Sequence, residues 1–247
     1  MDLRWSNEWT DAVFSTEERD RRWSRVRALM DREGVDVVVC LPCSNNHNRG
    51  AATALYLTQV GENSDEAAVY FPASGDVTVW STTPGGGPKA GWLEDIRPLA
   101  GGRGAAAVVE RLRESGFRTG TIAVAGLTGG LFAHCREAEG EANWASVEMI
   151  KTAFPKAKLV SATDLVGEAR FQKSEEELGF LRVGAEICER IHDTIARVAR
   201  PGVTERHVFA EMMYTNAVYG GTFTPMFGWV TGRLGDMWHR VEQPSFR

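Results

Sequence analysis

The chain has 247 residues, 43% of them hydrophobic and 25% charged, with 28 Lys+Arg against 33 Asp+Glu for a formal net charge of −5. That length allows one large domain or two of ordinary size, and the composition is that of a folded globular chain, not a disordered one. Only five basic residues are Lys, and the Arg residues are spread along an acidic chain, which argues against a nucleic-acid-binding face; no apolar run approaches the roughly 18 residues of a membrane span.

The four cysteines, Cys40, Cys43, Cys135 and Cys188, are too few and too scattered for a disulfide framework. The first residues, Met1 to Trp9, include Asp2, Arg4 and Glu8 and hold no apolar segment typical of a secretory signal. These features predict a soluble, cytoplasmic protein without membrane or nucleic-acid partners.

Ser15 followed three residues later by Glu18 is a capping-box pattern, and Gly34 supplies a stop. Between them Trp23, Val26, Leu29 and Met30 recur at three to four residues, which predicts a helix with one buried stripe. Val35 to Leu41 is almost continuously apolar and rich in β-branched residues, as in a strand covered on both faces. A polar stretch, Pro42 to Arg49, follows. Ala67–Phe71 and Val77–Trp80, joined by Pro72-Ala73-Ser74-Gly75-Asp76, predict an antiparallel hairpin. Ala105–Glu114 reads as a helix stopped at Gly116, Thr121–Ala125 as a strand, Val147–Phe154 as a helix broken by Pro155, and Ala157–Val160 as a strand. Helices alternating with strands, with one inserted hairpin, predict an α/β domain built on a mixed sheet.

Beyond about residue 165 no strand pattern appears. Ser174 with Glu177 opens a second capping box, and Leu178, Leu181, Ala185, Cys188, Ile191, Ile195 and Val198 form a seven-position apolar stripe ended by Pro201-Gly202. Thr204 caps a further helix reaching about Val218. A boundary near Phe171 therefore divides the chain into 1–171 and 172–247. Burying a large apolar side chain contributes about 1.5–3 kcal/mol. The stripe is expected to pack against another chain, or else residues after about 171 are the first to be proteolysed.

Cys40-Leu41-Pro42-Cys43 has the spacing of a dithiol, but loop formers follow it where an activating helix N-terminus would be needed. Adding His47 makes three possible zinc ligands where a closed site takes four. Pro84–Pro88 is not followed by a helix opening with Lys-Ser/Thr, Gly101-Gly102-Arg103-Gly104 lacks the lysine of a phosphate loop, and no nucleophile elbow occurs. The five histidines show no metal-binding spacing. His47 and Arg49 occupy the most polar loop of the first half. That loop reads first as a solvated connection, with a ligand-facing role for the two residues as the alternative. His239 closes the Gly- and aromatic-rich stretch Phe223–His239, which is either a site loop or an unsupported terminus.

Three sets of residues, in order, resemble one family. Phe14-Ser15 through Arg21-Arg22, then Arg27-Ala28-Leu29-Met30, Gly34-Val35-Asp36 and Tyr56-Leu57-Thr58 form the first. Thr163-Asp164-Leu165-Val166 through Arg170, then Lys173-Ser174-Glu175-Glu176-Glu177, form the second, and Pro201-Gly202-Val203-Thr204-Glu205 the third. Together they resemble the creatinase, prolidase and Xaa-Pro aminopeptidase family of pita-bread metalloenzymes. The resemblance implies a creatinase/prolidase-like N-terminal α/β domain over 1–171 and the start of an α+β pita-bread catalytic domain over 172–247. Thr53, Leu55 and Gln59 depart from the family's residues around Tyr-Leu-Thr, and Leu234 stands where an Asn is expected. Thr231-Gly232 and His239 match the family's Ser-Gly…His spacing, which implies a catalytic, substrate-contacting His239. His47 and Arg49 are the corresponding candidates for substrate binding.

The family holds a divalent metal pair (Mn, Co or Zn) through two Asp, one His and two Glu, all downstream of the position matching His239. After His239 the only acidic residue here is Glu242, and no His follows. The resemblance thus implies a metal-dependent peptidase acting on Xaa-Pro bonds of small peptides, as a homodimer, with the catalytic domain cut short, no metal expected on this chain, and no catalysis by it alone. The alternative is a non-catalytic dimerisation or interaction module with the same N-terminal fold; a dithiol oxidoreductase is the weakest reading.

Overall fold

Residues 14–42, 52–61, 67–82, 92–101, 103–131 and 139–220 are described by the computed structural model. They belong to two compact units: Val13–Ser174, and a second whose described part is residues 175–220.

The first unit opens with α1 (Thr16–Glu33). Ser15 caps it by accepting a hydrogen bond from the Glu18 N–H at 3.1 Å, and Gly34 ends it in the left-handed region at φ 63°. Half of the expected box differs: the Glu18 carboxylate engages Arg21 and Arg22 along the helix. The chain continues through β1 (Val37–Cys40), α2 (Ala52–Thr58), β2 (Ala67–Pro72), β3 (Thr78–Ser81), β4 (Asp95–Pro98) and α3 (Gly104–Glu114), then β5 (Gly120–Val124), α4 (Trp144–Ala153), β6 (Ala157–Ser161) and α5 (Thr163–Phe171).

The six strands form one mixed sheet in the order β4-β3-β2-β1-β5-β6. β2 is antiparallel to both its neighbours, with Val38 opposite Phe71 and Val69 opposite Val79, so the expected hairpin is present. The β1–β5, β5–β6 and β3–β4 pairs are parallel. α2, β4 and α5 are additions to the elements read from the sequence. Asp-Ile-Arg-Pro has little strand character; β4 is an edge strand fixed by its pairing and by Arg97, which donates to Asp95 at 2.8 and 2.9 Å.

Strand side chains alternate between two faces. Val38, Cys40, Val69, Phe71, Val79 and Ala123 face a layer that includes Val26 and Met30 of α1, Leu57 of α2 and Leu165 of α5. Val37, Val39, Tyr70, Trp80, Ile122 and Val124 face the opposite layer, with Val108 and Leu112 of α3 and Ile150 of α4. β1 is buried along its whole length because both layers cover it.

The second unit contains α6 (Glu175–Val198) and α7 (Glu205–Val218). Thr204 caps α7 by accepting from the His207 N–H. Ile191 and Thr194 of α6 are buried, as are Val208, Met212, Thr215 and Asn216 of α7; the Thr194 and Thr215 hydroxyls are 3.0 Å apart. Of the seven stripe positions on α6, Ile191 is buried, while Leu181 is 58% exposed and Ala185 and Cys188 are exposed. No helix among the described residues is long and apolar enough to cross a membrane.

Candidate functional site

β1, β3, β4, β5 and β6 run in one direction, so Cys40, Ser81, Pro98, Val124 and Ser161 end along one edge of the sheet. The connection after β1 passes to α2 in one layer, and that after β5 passes to α4 in the other. In open α/β sheets, such divergence between neighbouring parallel strands marks the crevice where ligands bind. The carboxyl ends of β1 and β5 are therefore the candidate site.

On the β5 side, backbone and hydroxyl groups lace the edge together. The Ala125 N–H donates to the Val39 carbonyl at 2.9 Å, tying the turn after β5 to β1. Gly126, at φ 74°, donates to Thr163 Oγ1 at 3.2 Å, and Thr163 Oγ1 donates to the Thr128 carbonyl at 2.7 Å. Ser161 Oγ donates to Thr163 Oγ1 at 3.0 Å and accepts from the Thr128 N–H at 3.3 Å. Both hydroxyls spend their proton on protein acceptors, which suits a positioning role for this edge and not an activated nucleophile. On the β1 side, Gly104 permits close packing of α3 on Pro42; a Cβ at this position would collide with the proline ring.

The chain leaves β1 through Leu41 and Pro42 and enters α2 at Ala52, and a buried cation holds α2. Arg22 is 3% exposed and donates to Glu18 Oε1 at 2.6 Å and to the Tyr56 carbonyl at 3.3 Å. Its guanidinium lies 4.0 Å from the Phe14 ring centroid, 4.7 Å from Tyr56 and 5.3 Å from Trp92. Trp23 Nε1 donates to the Leu57 carbonyl at 2.8 Å, and the Tyr56 hydroxyl donates to Ala169 of α5 at 3.2 Å. Glu18, 4% exposed, also takes two bonds from Arg21 at 2.7 and 2.8 Å. Burial works to raise its carboxyl, but Arg21 and Arg22 outweigh that and hold it below the usual carboxylate value. With charge and hydrogen bonds satisfied internally, this cluster braces α1 and α2 and has no acid–base role. The signal for it in the sequence is the i,i+4 spacing of Glu18 and Arg22 on α1.

Cys40 is 1% exposed at the end of β1, and burial pushes its thiol up to about 12. It stays protonated at neutral pH, so the first cysteine of the Cys-x-x-Cys pair lacks the thiolate that redox exchange requires. His192 and His207 are exposed on their helices. Cys43, His47, Arg49 and His239 lie outside the described residues. Among the described residues, no group of three or more His, Cys, Asp or Glu is gathered as a metal site. The described residues do not fit a divalent pair, and no metal-assisted step is assigned to them.

No protein-family model and no curated protein matches the sequence. Solved structures do match. An X-Pro aminopeptidase from Thermotoga maritima MSB8 superposes with a TM-score of 0.60 at 19% identity, covering 80% of this chain and 49% of its own. An Xaa-Pro dipeptidase from Bacillus anthracis gives a TM-score of 0.55 at 18% identity, with 80% and 48% covered. A dipeptidase from Mycobacterium ulcerans gives 0.55 at 19% identity, with 84% and 51% covered. The chain has the creatinase/prolidase-like α/β fold found in these structures, and it spans about half their length.

Proposed function

We propose that this chain is part of a metal-dependent Xaa-Pro peptidase that hydrolyses amide bonds in small peptides. The observation that carries this reading is the mixed six-stranded sheet, whose fold is shared with Xaa-Pro dipeptidase and aminopeptidase structures across about four-fifths of the chain. In this reading residues 1–171 form the N-terminal domain, and 172–247 begin the pita-bread catalytic domain. The loop between β1 and α2 supplies His47 and Arg49 to the substrate, and His239 contacts the scissile peptide. The protein is read as a cytoplasmic homodimer.

Saturation-transfer NMR with an Xaa-Pro dipeptide, beside a proline-release assay in Mn2+ or Co2+, tests this. Expected are dipeptide contacts weakened in His47→Ala and His239→Ala. No dipeptide contact at about 10 mM, where even a Kd in the mM range would register, overturns the peptide-binding reading. Proline release that persists in His239→Ala would remove the role given to that residue.

A second reading, a dimerisation or interaction module, draws on the self-contained core of Val13–Ser174, in which helices cover both faces of the sheet. A dimer by light scattering, combined with no dipeptide contact, favours it.

A further inference from the structure

Arginine serves mainly as a fastener in the Val13–Ser174 unit. Arg22, Arg32, Arg97 and Arg111 are each fixed to carboxylates of the same unit, and Arg27 donates to the Pro72 and Gly75 carbonyls. Arg113 and Arg118 are different. Neither forms an ion pair among the described residues, and both line one recess with Lys156, which is also without an ion pair there. Among the described residues the only side-chain hydrogen bond of the three is a long one, 3.5 Å, from Arg118 to the neighbouring Phe117 carbonyl. All three side chains are solvent-exposed, so their donors are available.

The recess has a volume of about 440 Å³ and is completed by Ala153, Phe154 and Pro155, with no carboxylate in its lining. It is formed where the chain turns from α3 into β5 and from α4 into β6. It therefore lies at the amino ends of these strands, at the opposite sheet edge from the crevice described above. Its floor is firm: Phe154 is buried and packs edge-on against Phe117, with ring centroids 5.4 Å apart at 77°. The volume falls within the range of about 300–1,000 Å³ typical of small-molecule sites.

Three cations around one concavity, on a chain of net charge −5, make a local positive potential that concentrates small anions. Arg113 sits in the last turn of α3, where helix carbonyls offset part of its charge. Arg118 and Lys156 stand outside the helices, beyond the ends of α3 and α4, and are the principal anchors. A guanidinium matches two oxygens of a phosphate at once, and an ammonium supplies a point charge beside it. We propose that this recess binds a small, multiply charged oxyanion, either free phosphate or pyrophosphate or the phosphate group of a small ester. The proposal does not rest on the peptidase reading, and failure of either leaves the other standing.

Calorimetric titration of the full chain with pyrophosphate, and separately with phenyl phosphate, at low ionic strength provides the test. Saturable binding is expected, weakened at least about tenfold in Arg118→Gln/Lys156→Gln and unchanged in Arg32→Gln, whose guanidinium is paired elsewhere; tenfold is a change well resolved by such titrations. Tighter pyrophosphate would assign the recess to a free oxyanion, and tighter phenyl phosphate to an ester that also uses the Phe154 side. Circular dichroism of the double variant confirms that it is folded. Absence of binding to the wild-type chain up to about 10 mM of either probe, or equal binding by the folded double variant, overturns the proposal.

Discussion

In the Val13–Ser174 unit, Val26 and Met30 of α1 have no exposed surface, whereas in the second unit Leu181 of α6 is 58% exposed. Both helices have clear apolar spacing. A six-stranded sheet offers a continuous face on each side, wide enough to receive α1, α2 and α5 on one and α3 and α4 on the other. Two helices offer each other one seam, and α6 and α7 fill it with Ile191, Thr194, Val208, Met212 and Thr215. An amphipathic pattern therefore states that a face needs a partner surface; the extent of that surface is decided elsewhere in the fold.

The contrast is broken most directly by hydrogen exchange. Amides of β1 and β5 are expected to exchange through global opening, and those of the first half of α6 at least about a hundredfold faster. Equal protection would show that the two regions open together. Next in size is a pair of truncations. Phe71→Ala, at a fully buried position against Trp23, is expected to cost about 4 kcal/mol, and Leu181→Ala to stay within about 0.5 kcal/mol; urea denaturation measures both.

Glu18→Gln removes the anion paired with buried Arg22 and is expected to cost on the order of 3 kcal/mol. The pH dependence has a defined sign. The folded Glu18 carboxyl lies below its ordinary value, so its contribution is complete above the unfolded pKa near about 4.3 and is lost as pH falls through the lower folded value. Denaturation at pH 7 and pH 3 should show a smaller acid loss in Glu18→Gln than in the wild type. The smallest effects sharpen the comparison at the caps. Ser15→Ala and Thr204→Ala should each cost about 1 kcal/mol, the first lowering global stability and the second seen chiefly as faster exchange at the start of α7.

Where local chemistry decides, the fold was legible. Ser15 and Gly34 bracket α1, Thr204 starts α7, and the unbroken apolar run of β1 announced a strand covered on both sides. β4 was hidden because Asp95 and Arg97 satisfy each other at a sheet edge, a pairing that leaves no apolar alternation to read. Of the candidate site, the sequence pointed to His47, Arg49 and His239 without showing a geometry for them. The crevice between the ends of β1 and β5 followed only from strand order. The Arg22 cage joins residues 14, 22, 56 and 92, and the oxyanion recess joins the chain before β5 to the chain before β6.

By itself, then, the sequence determined the class of the protein and the position of most helices and strands, because caps, turns and apolar period act over a few residues. Strand order, the burial of Arg22 with Glu18, the exposure of Leu181 and the gathering of Arg113, Arg118 and Lys156 were decided by tertiary structure. Each depends on which distant segments become neighbours, and no local pattern encodes that.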